Sequence, residues 1–165
     1  MNGMGFVSVE FWVMSSELYT YQTIEGIPEP SAIQQLLRLY DQLFEDARLD
    51  FFVERIHSKE DLIINLCYDT NDLVGFKVGY RYDENTLYSW VGGVLSDYRK
   101  QGIAQQLMEF QHNKAQKKGY QKIRTKSMNR FKPMIILNLK NGFDIKQVYT
   151  NDSGQTKIIF EKSLL

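Results

Sequence analysis

Apolar and polar positions alternate in two periods along this chain, and the periods predict strands and helices. Residues 19–24 alternate as a strand does, and a glycine and a proline follow them. From Ile33 to Phe44 the apolar residues recur every three or four positions, which is typical of one face of a helix. A second, short helix is predicted over residues 50–56. The chain therefore opens as a strand followed by two helices.

The middle of the chain predicts a meander of three strands. Polar turn clusters separate apolar runs at 62–68, 73–82 and 87–95. Helical spacing then covers 101–118 and ends before Gly119, a residue suited to the position after a helix. The remaining predicted elements are a strand at 120–127, a helix from Lys132 to Asn141, and a hairpin of strands 143–150 and 156–162 around residues 151–154.

This order of elements predicts an α+β fold with a mixed sheet flanked by helices. The meander should be antiparallel, whereas the helix over 101–118 should return strand 120–127 parallel to strand 87–95. The sheet is therefore mostly antiparallel with a central parallel pair. No repeat or interdomain linker divides the chain, so we expect one domain over 19–165, preceded by an extension over 1–18.

The extension contains an apolar run at 6–14 that is too short to span a bilayer and is interrupted by Glu10. It also lacks the basic start and small-residue cleavage site of a secretory signal. An additional strand is the favoured interpretation. A dimer contact, or an upstream extension before a start at Met14, stays open.

Composition narrows the class of protein. The 165 residues are 43% hydrophobic, enough for a core, and the 20 basic and 20 acidic side chains give no net charge. A neutral chain argues against nucleic acid as the main partner, and no membrane partner is expected. The one cysteine, Cys67, cannot form an intramolecular disulfide and fits a reducing, cytoplasmic compartment. With only two histidines, no metal site is expected.

The stretch from Arg99 to Ala104, with Gly102 within it, lies between a predicted strand and a predicted helix. The first turn of a helix has unpaired N–H groups and a partial positive charge. A glycine there lets a ligand approach the backbone closely. This arrangement predicts a site for phosphate or pyrophosphate.

The run from Val94 to Ala104 resembles the acyl-CoA-binding signature of the GCN5-related N-acetyltransferases, in which Gln/Arg-x-x-Gly-x-Gly/Ala begins a helix. A second similarity lies in Asn129, Met134, Asn138 and the pair Gly142-Phe143. The resemblance spans about 19–162. It implies the acyl-CoA N-acyltransferase fold, acetyl-CoA as donor, and a small-molecule or protein amine as acceptor; a homodimer is compatible with it.

The resemblance also implies cofactor-binding residues. It assigns pantetheine contacts to the backbone of Val94 and Ser96, beside Leu95. The pyrophosphate is assigned to amides of the loop, and Asn138 to the thioester sulfur or the pantetheine. The loop residues are Arg99, Lys100, Gln101, Gly102, Ile103 and Ala104. The pair Gly92-Gly93 before them predicts a bulge or a close approach of backbone, with a simple kink for sheet curvature as the alternative.

The implied reaction moves the acetyl group to a primary amine by direct attack on the thioester. The backbone N–H of Val94 or Leu95 is the expected donor to the developing oxyanion. Two features depart from the family: residues 87–91 contain no carboxylate, and Asn138 stands where many members have a tyrosine acid. Asn138 and Tyr88 are the catalytic candidates, with Tyr88 and Ser89 able to order a water. Packing within the strand is an equally good interpretation of Tyr88 and Ser89.

The other candidate residues carry weaker signals. His57 lies near the expected substrate entrance, His112 is predicted to face solvent, and Cys67 to be a buried small hydrophobe. An acidic cluster in the first helical region favours a cationic amine, although such runs are often only a solvated face. Its members are Asp41, Glu45, Asp46, Asp50 and Glu54.

Two alternatives to an enzyme of this kind remain. A non-catalytic acyl-CoA-binding module would explain the missing carboxylate and the asparagine at 138. A nucleotide-binding α/β protein could use the same loop, but the loop lacks the Lys-Ser/Thr of a P-loop and the three glycines of a dinucleotide site.

Overall fold

A computed structural model describes residues 8–12 and 18–165, which form one eight-stranded sheet with helices on both faces. The predicted order of elements is confirmed, with boundaries that shift by one or two residues. The strands are β1 (Ser8–Trp12), β2 (Thr20–Glu25), β3 (Ile63–Asp69), β4 (Asp72–Arg81), β5 (Thr86–Val94), β6 (Lys122–Met128), β7 (Asp144–Thr150) and β8 (Thr156–Ser163). The helices are α1 (Pro30–Leu43), α2 (Leu49–Ser58), α3 (Ile103–Lys117) and α4 (Lys132–Lys140), with a 3₁₀ turn at Ser96–Tyr98.

The strand order across the sheet is β1-β2-β3-β4-β5-β6-β8-β7. Only β5 and β6 run parallel among the paired strands described, which confirms the central parallel pair. The strand predicted within 6–14 is confirmed at Ser8–Trp12, which pairs with β2. The rest of that predicted range lies outside the described residues.

Each face of the sheet carries its own core. Helices α1 and α2 cover one face, where Phe52 and Ile56 pack with Phe76 of β4. Helices α3 and α4 cover the other, where Met108 packs with Leu87 of β5. No helix of the described part of the chain combines the length and the apolarity that crossing a bilayer requires.

Strand β5 contains one extra residue, Trp90, relative to its neighbour β4. Ser89 lies opposite Gly79, but Val91 lies opposite Val78, so the pairing shifts by one position there. Trp90 and Val91 both pack on the α1–α2 face, whereas an undistorted strand would send them to opposite faces. The sequence predicts a bulge or a close approach at the glycine pair. The structure places the bulge two residues before that pair, at Trp90.

The glycine pair itself is explained by close approach, as predicted. A Cβ on Gly92 would lie 2.8 Å from the carbonyl oxygen of Phe76. A Cβ on Gly93 would lie 2.8 Å from a methyl group of Leu43 in α1. The contact at Gly92 is with backbone, so glycine is needed there for β4 to pair closely with β5, whereas the contact at Gly93 is with the end of a flexible side chain that can shift.

Candidate active site

The parallel strands β5 and β6 separate part-way along their length. They pair from Thr86 and Lys122 as far as Ser89 and Thr125, and no further. At this last position the Thr125 hydroxyl donates a hydrogen bond of 2.8 Å to the carbonyl oxygen of Ser89. Beyond it both strands continue without pairing to each other, which leaves a wedge-shaped gap between them.

The backbone at the end of β5 offers one N–H to this gap. The N–H of Leu95 donates to the carbonyl oxygen of Val74 at 2.9 Å, and its carbonyl accepts from Tyr98 at 2.9 Å. Both backbone polar groups of Leu95 therefore already have hydrogen-bond partners within the protein. Because successive residues of an antiparallel ladder point their polar groups to opposite edges, the N–H of Val94 points away from β4 and toward the gap. Of the two predicted donors, the geometry leaves Val94.

The loop after β5 presents free amides, as its sequence predicts. Lys100 and Gly102 both have positive φ, +60° and +82°, a conformation in which successive N–H groups can converge on an anion. The first α-helical bond of α3 runs from Gln106 to Gly102 at 3.0 Å, and the N–H groups of residues 100–104 donate to no described residue. Nothing lies within 4 Å of the place where a Cβ of Gly102 would stand. A phosphate can therefore reach the start of α3.

Two side chains of this loop hold its shape. Arg99 donates from Nε to the carbonyl oxygen of Val94 at 3.0 Å, and its own N–H donates to Ser96 at 3.3 Å. The side chain of Gln101 accepts from the hydroxyl of Tyr19 and donates to the carbonyl of Asp97. The candidate anion donors are therefore the backbone N–H groups from Lys100 to Ala104, without that of Arg99.

Asn138 in α4 is 1% exposed, and its Nδ2 group has no hydrogen-bond partner. A buried amide left without a partner costs free energy unless a ligand supplies one. Neighbouring Asn141 contrasts with it, because its Nδ2 donates to Gln105 and to the carbonyl of Leu137. The unpartnered donor at 138 fits the predicted role toward a bound thioester or pantetheine.

A cavity of about 410 Å³ lies on the α2 side of β5 and β6. Tyr88 lines it, while Ser89 lies on the opposite face of the strand, so the two predicted water-ordering side chains do not converge. Burial raises the pKa of Tyr88 to about 12, and its hydroxyl has no partner among the described residues. The lining residues are Arg55, Lys59, Tyr80, Arg81, Tyr82, Tyr88, Arg124, Thr125, Lys126 and Ile159.

The charge at this cavity is opposite to the expectation of an acidic substrate entrance. None of the five acidic residues of the first helical region lines it, and Asp46 and Asp50 pair with Arg130 and Arg48. Sequence reasoning missed the cations that do line it. Arg124 and Lys126 are two positions apart on a predicted strand, so their side chains lie on the same face. This spacing could have predicted a basic surface there.

The prediction that His112 faces solvent is wrong. Its side chain is 7% exposed, because Phe143, which follows α4, packs its ring 5.5 Å away. Burial, with positive charge at Lys162 and Lys77, lowers the pKa of His112 to about 3. It lies outside the cavity lining.

The other two weak candidates also lie away from the cavity. His57 is exposed at the end of α2 and contacts the carbonyl of Val53 at 2.9 Å. Cys67 is buried as predicted, and burial raises the pKa of its thiol to about 11. Within the described residues no group of three or more His, Cys, Asp or Glu side chains could hold a metal ion.

Comparison with known proteins resolves the family. The model of the acetyltransferase (GNAT) family matches residues 30–143, which include the gap, the loop and Asn138. The chain belongs to the GNAT family. No curated protein matches it significantly.

Solved GNAT structures share the fold across nearly the whole chain. The Elizabethkingia anophelis GNAT acetyltransferase with acetyl-CoA bound is 20% identical, with a TM-score of 0.67 over 95% of this chain and 97% of that one. Arabidopsis thaliana NAA60 in complex with acetyl-CoA is 18% identical (TM-score 0.69; 87% and 98% covered). The ribosomal-protein-S18-alanine N-acetyltransferase of Escherichia coli is 14% identical (TM-score 0.71; 86% and 94% covered). At these identities the likeness shows the GNAT fold.

Proposed function

We propose that this GNAT protein is an acetyl-CoA-dependent N-acetyltransferase that acetylates a primary amine by direct attack on the thioester. The observation that carries the proposal is the gap between β5 and β6, followed along the chain by a loop with free amides. The unpartnered buried amide of Asn138 in α4 supports it. Acetyl-CoA, which the Elizabethkingia and Arabidopsis structures contain, supplies the activated acetyl group.

The residues around the gap divide the binding between them. The amides at the start of α3 hold the pyrophosphate, aided by the positive end of the helix. The N–H of Val94 donates to the thioester oxygen, where negative charge develops as the amine nitrogen bonds to the acetyl carbon. The C–S bond then breaks, and CoA leaves as a thiolate that takes up a proton from solvent. Asn138 donates from Nδ2 to the sulfur or the pantetheine, and it orients without supplying a proton.

The attacking amine must be neutral, and an alkylamine has an ordinary pKa of about 10.4. Tyr88 keeps its own proton at neutral pH because its pKa is about 12, so it cannot act as the base. Its hydroxyl instead orders a water that accepts the proton of the amine. No carboxylate or histidine lines the described cavity, so proton removal passes to solvent through that water.

Calorimetric titration of acetyl-CoA tests the donor, with CoA, ATP and NAD as controls. We expect binding selective for CoA species, followed by release of free CoA thiol in the presence of an amine panel. Equal binding of ATP or NAD would favour a nucleotide-binding protein instead. The absence of binding by any CoA species would overturn the proposal.

A non-catalytic acyl-CoA-binding module is the second candidate. The absence of a carboxylate or histidine in the cavity lining favours it. Acetyl-CoA binding without CoA release on any amine would establish the module. Release that depends on both acetyl-CoA and amine would exclude it.

A further inference from the structure

We propose that the cavity beside Tyr88 selects an acceptor that carries a carboxylate next to its primary amine, such as an amino acid or the amino-terminal residue of an acidic peptide. This inference rests on the proposed acetyltransferase function. It starts from the charge of the lining residues, which include five basic side chains and no acidic one.

Two of these basic side chains already have carboxylate partners. Arg124 contacts Glu161 through Nε at 2.9 Å and Nη2 at 2.8 Å. Arg81 contacts Asp61 at 3.8 Å and, also at 3.8 Å, Glu60. Arg55, Lys59 and Lys126 have no acidic partner among the described residues, so the cavity keeps an excess of positive charge.

Arg55 is held in place by aromatic groups rather than by a counter-ion. Its Nη1 donates to the Tyr80 hydroxyl at 2.9 Å, and its guanidinium lies 4.5 Å from the ring centre of Phe51 and 5.1 Å from that of Trp90. This packing fixes the orientation of the guanidinium but uses only part of its five N–H groups. A half-buried, pre-oriented guanidinium without a carboxylate matches the geometry of a bidentate carboxylate ligand.

The two lysines widen the positive region and lie against aromatic rings. The Lys59 ammonium is 5.4 Å from the ring centre of Tyr80, and the Lys126 ammonium is 5.7 Å from the ring centre of Tyr149. These contacts leave the ammonium hydrogens free for an anion. The same charges repel a polyamine or another polycation.

The cavity also adjoins the reacting centre. Tyr88 and Thr125 line it, and Thr125 makes the hydrogen bond at the point where β5 and β6 separate. A carboxylate bound at Arg55 or Lys126 therefore holds a nearby amine beside the opening of the gap. A volume of about 410 Å³ lies within the ~300–1,000 Å³ usual for small-molecule sites.

Pairs of amines that differ in one carboxylate test the proposal. Tyrosine and tyramine share a ring and a primary amine, and only tyrosine carries the carboxylate. We expect a higher kcat/KM for tyrosine, with spermidine as the poorest acceptor. A second comparison uses a peptide that begins with Glu-Glu and one that begins with Lys-Lys. Acetylation of the Glu-Glu peptide in preference to the Lys-Lys peptide would show that the acceptor can be a peptide as well as a free amino acid.

Variants of the basic cavity residues test whether they cause the preference for tyrosine over tyramine. We expect Arg55→Gln and, separately, Lys126→Gln to lower the tyrosine-to-tyramine ratio of kcat/KM about tenfold, the scale of one charge-assisted hydrogen bond. The change should appear in KM and should shrink as salt is raised. Lys146→Gln, at an exposed lysine on β7, is the matched control and should leave the ratio unchanged.

Titration of N-acetyltyrosine gives a readout without turnover. Binding that weakens in both cavity variants supports the proposal, whereas no binding, or binding unaffected by both variants, overturns it. If CoA is released but tyramine or spermidine equals tyrosine, the carboxylate proposal fails and the acetyltransferase proposal stands. If acetyl-CoA binds and no amine is acetylated, the acetyltransferase proposal fails, and the N-acetyltyrosine titration alone decides the cavity.

Discussion

Thr125 and Ser89 are joined by a hydrogen bond at the last position where β5 and β6 pair. The bond, 2.8 Å from the Thr125 hydroxyl to the Ser89 carbonyl, joins the two strands just before they separate. We expect it to hold the strands together at this point and so to limit the width of the gap.

Replacing Thr125 with valine keeps the shape and removes this hydrogen bond. We expect Thr125→Val to lower the free energy of unfolding by about 1 kcal/mol, the net value of one hydrogen bond, and to weaken acetyl-CoA binding. Chemical denaturation and calorimetry measure the two effects. Thr150→Val, on the exposed edge strand β7, is the control, and equal acetyl-CoA affinity in both variants would show that the bond does not shape the gap.

Gly102 and Gly119 provide a matched pair at the two ends of α3. Both have positive φ and open space where a Cβ would stand. Gly102→Glu should abolish acetyl-CoA binding by placing a carboxylate against the free amides, while Gly119→Glu should retain it. Left-handed strain of about 1–2 kcal/mol applies to both variants, so circular dichroism should show both folded. Normal affinity in Gly102→Glu would remove the phosphate-loop assignment.

Asn138→Ala separates ligand binding from stability. Because Nδ2 lacks a partner, its removal should cost the ligand-free protein little stability, whereas Asn141→Ala loses three hydrogen bonds and should cost more. Acetyl-CoA should raise the melting temperature of Asn138→Ala less than that of the unaltered protein. An unchanged increase would show that the amide does not contact the ligand. We expect turnover to fall only modestly, since Asn138 orients rather than transfers a proton.

Tyr88→Phe tests whether the phenol orders a water or acts as the base. We expect kcat to fall about tenfold or more, because a positioned proton-transfer group contributes roughly 10²–10⁴ when complete. The ionisation seen in the pH profile of kcat/KM should not move, since Tyr88, with a pKa of about 12, keeps its proton throughout. Tyr82→Phe serves as the comparison, and loss of that ionisation only in Tyr88→Phe would identify Tyr88 as the base.

His112 predicts a dependence of stability on pH. Its pKa is about 3 in the folded protein and near 6.5 when unfolded, so between these values the unfolded chain binds more protons. The stability is complete above about pH 6.5 and falls as the pH drops toward 3, with a slope of up to ~1.4 kcal/mol per pH unit.

Urea unfolding at about pH 7.5 and about pH 5 measures this loss. His112→Leu should make it smaller, whereas the exposed His57→Leu should leave it as it is. An equal loss in all three proteins would show that His112 does not cause it, and carboxylates with lowered pKa such as Glu25 and Asp61 would add their own loss only below about pH 4.5.

Local sequence signals predicted the fold and the loop but not the cavity. The two periods of apolar residues and the Arg99–Ala104 loop are features of neighbouring residues, and each is found where it is predicted. The cavity joins α2 to β4, β5 and β6, so its positive charge depends on contacts between distant segments. Burial of His112 likewise depends on Phe143, 31 positions along the chain.

The extra residue at position 90 changes which residue numbers lie on each face of β5. Before it, even-numbered side chains such as Tyr88 face the acceptor cavity; after it, odd-numbered Val91 and Gly93 take that face. Deleting Trp90 would leave these later residues on the faces they have now, because Val91 would follow Ser89 in regular alternation and stay opposite Val78. The strand therefore takes up the extra residue locally, and its deletion should remove the bulge and the contact of Trp90 with Phe52 while Gly93 stays toward α1.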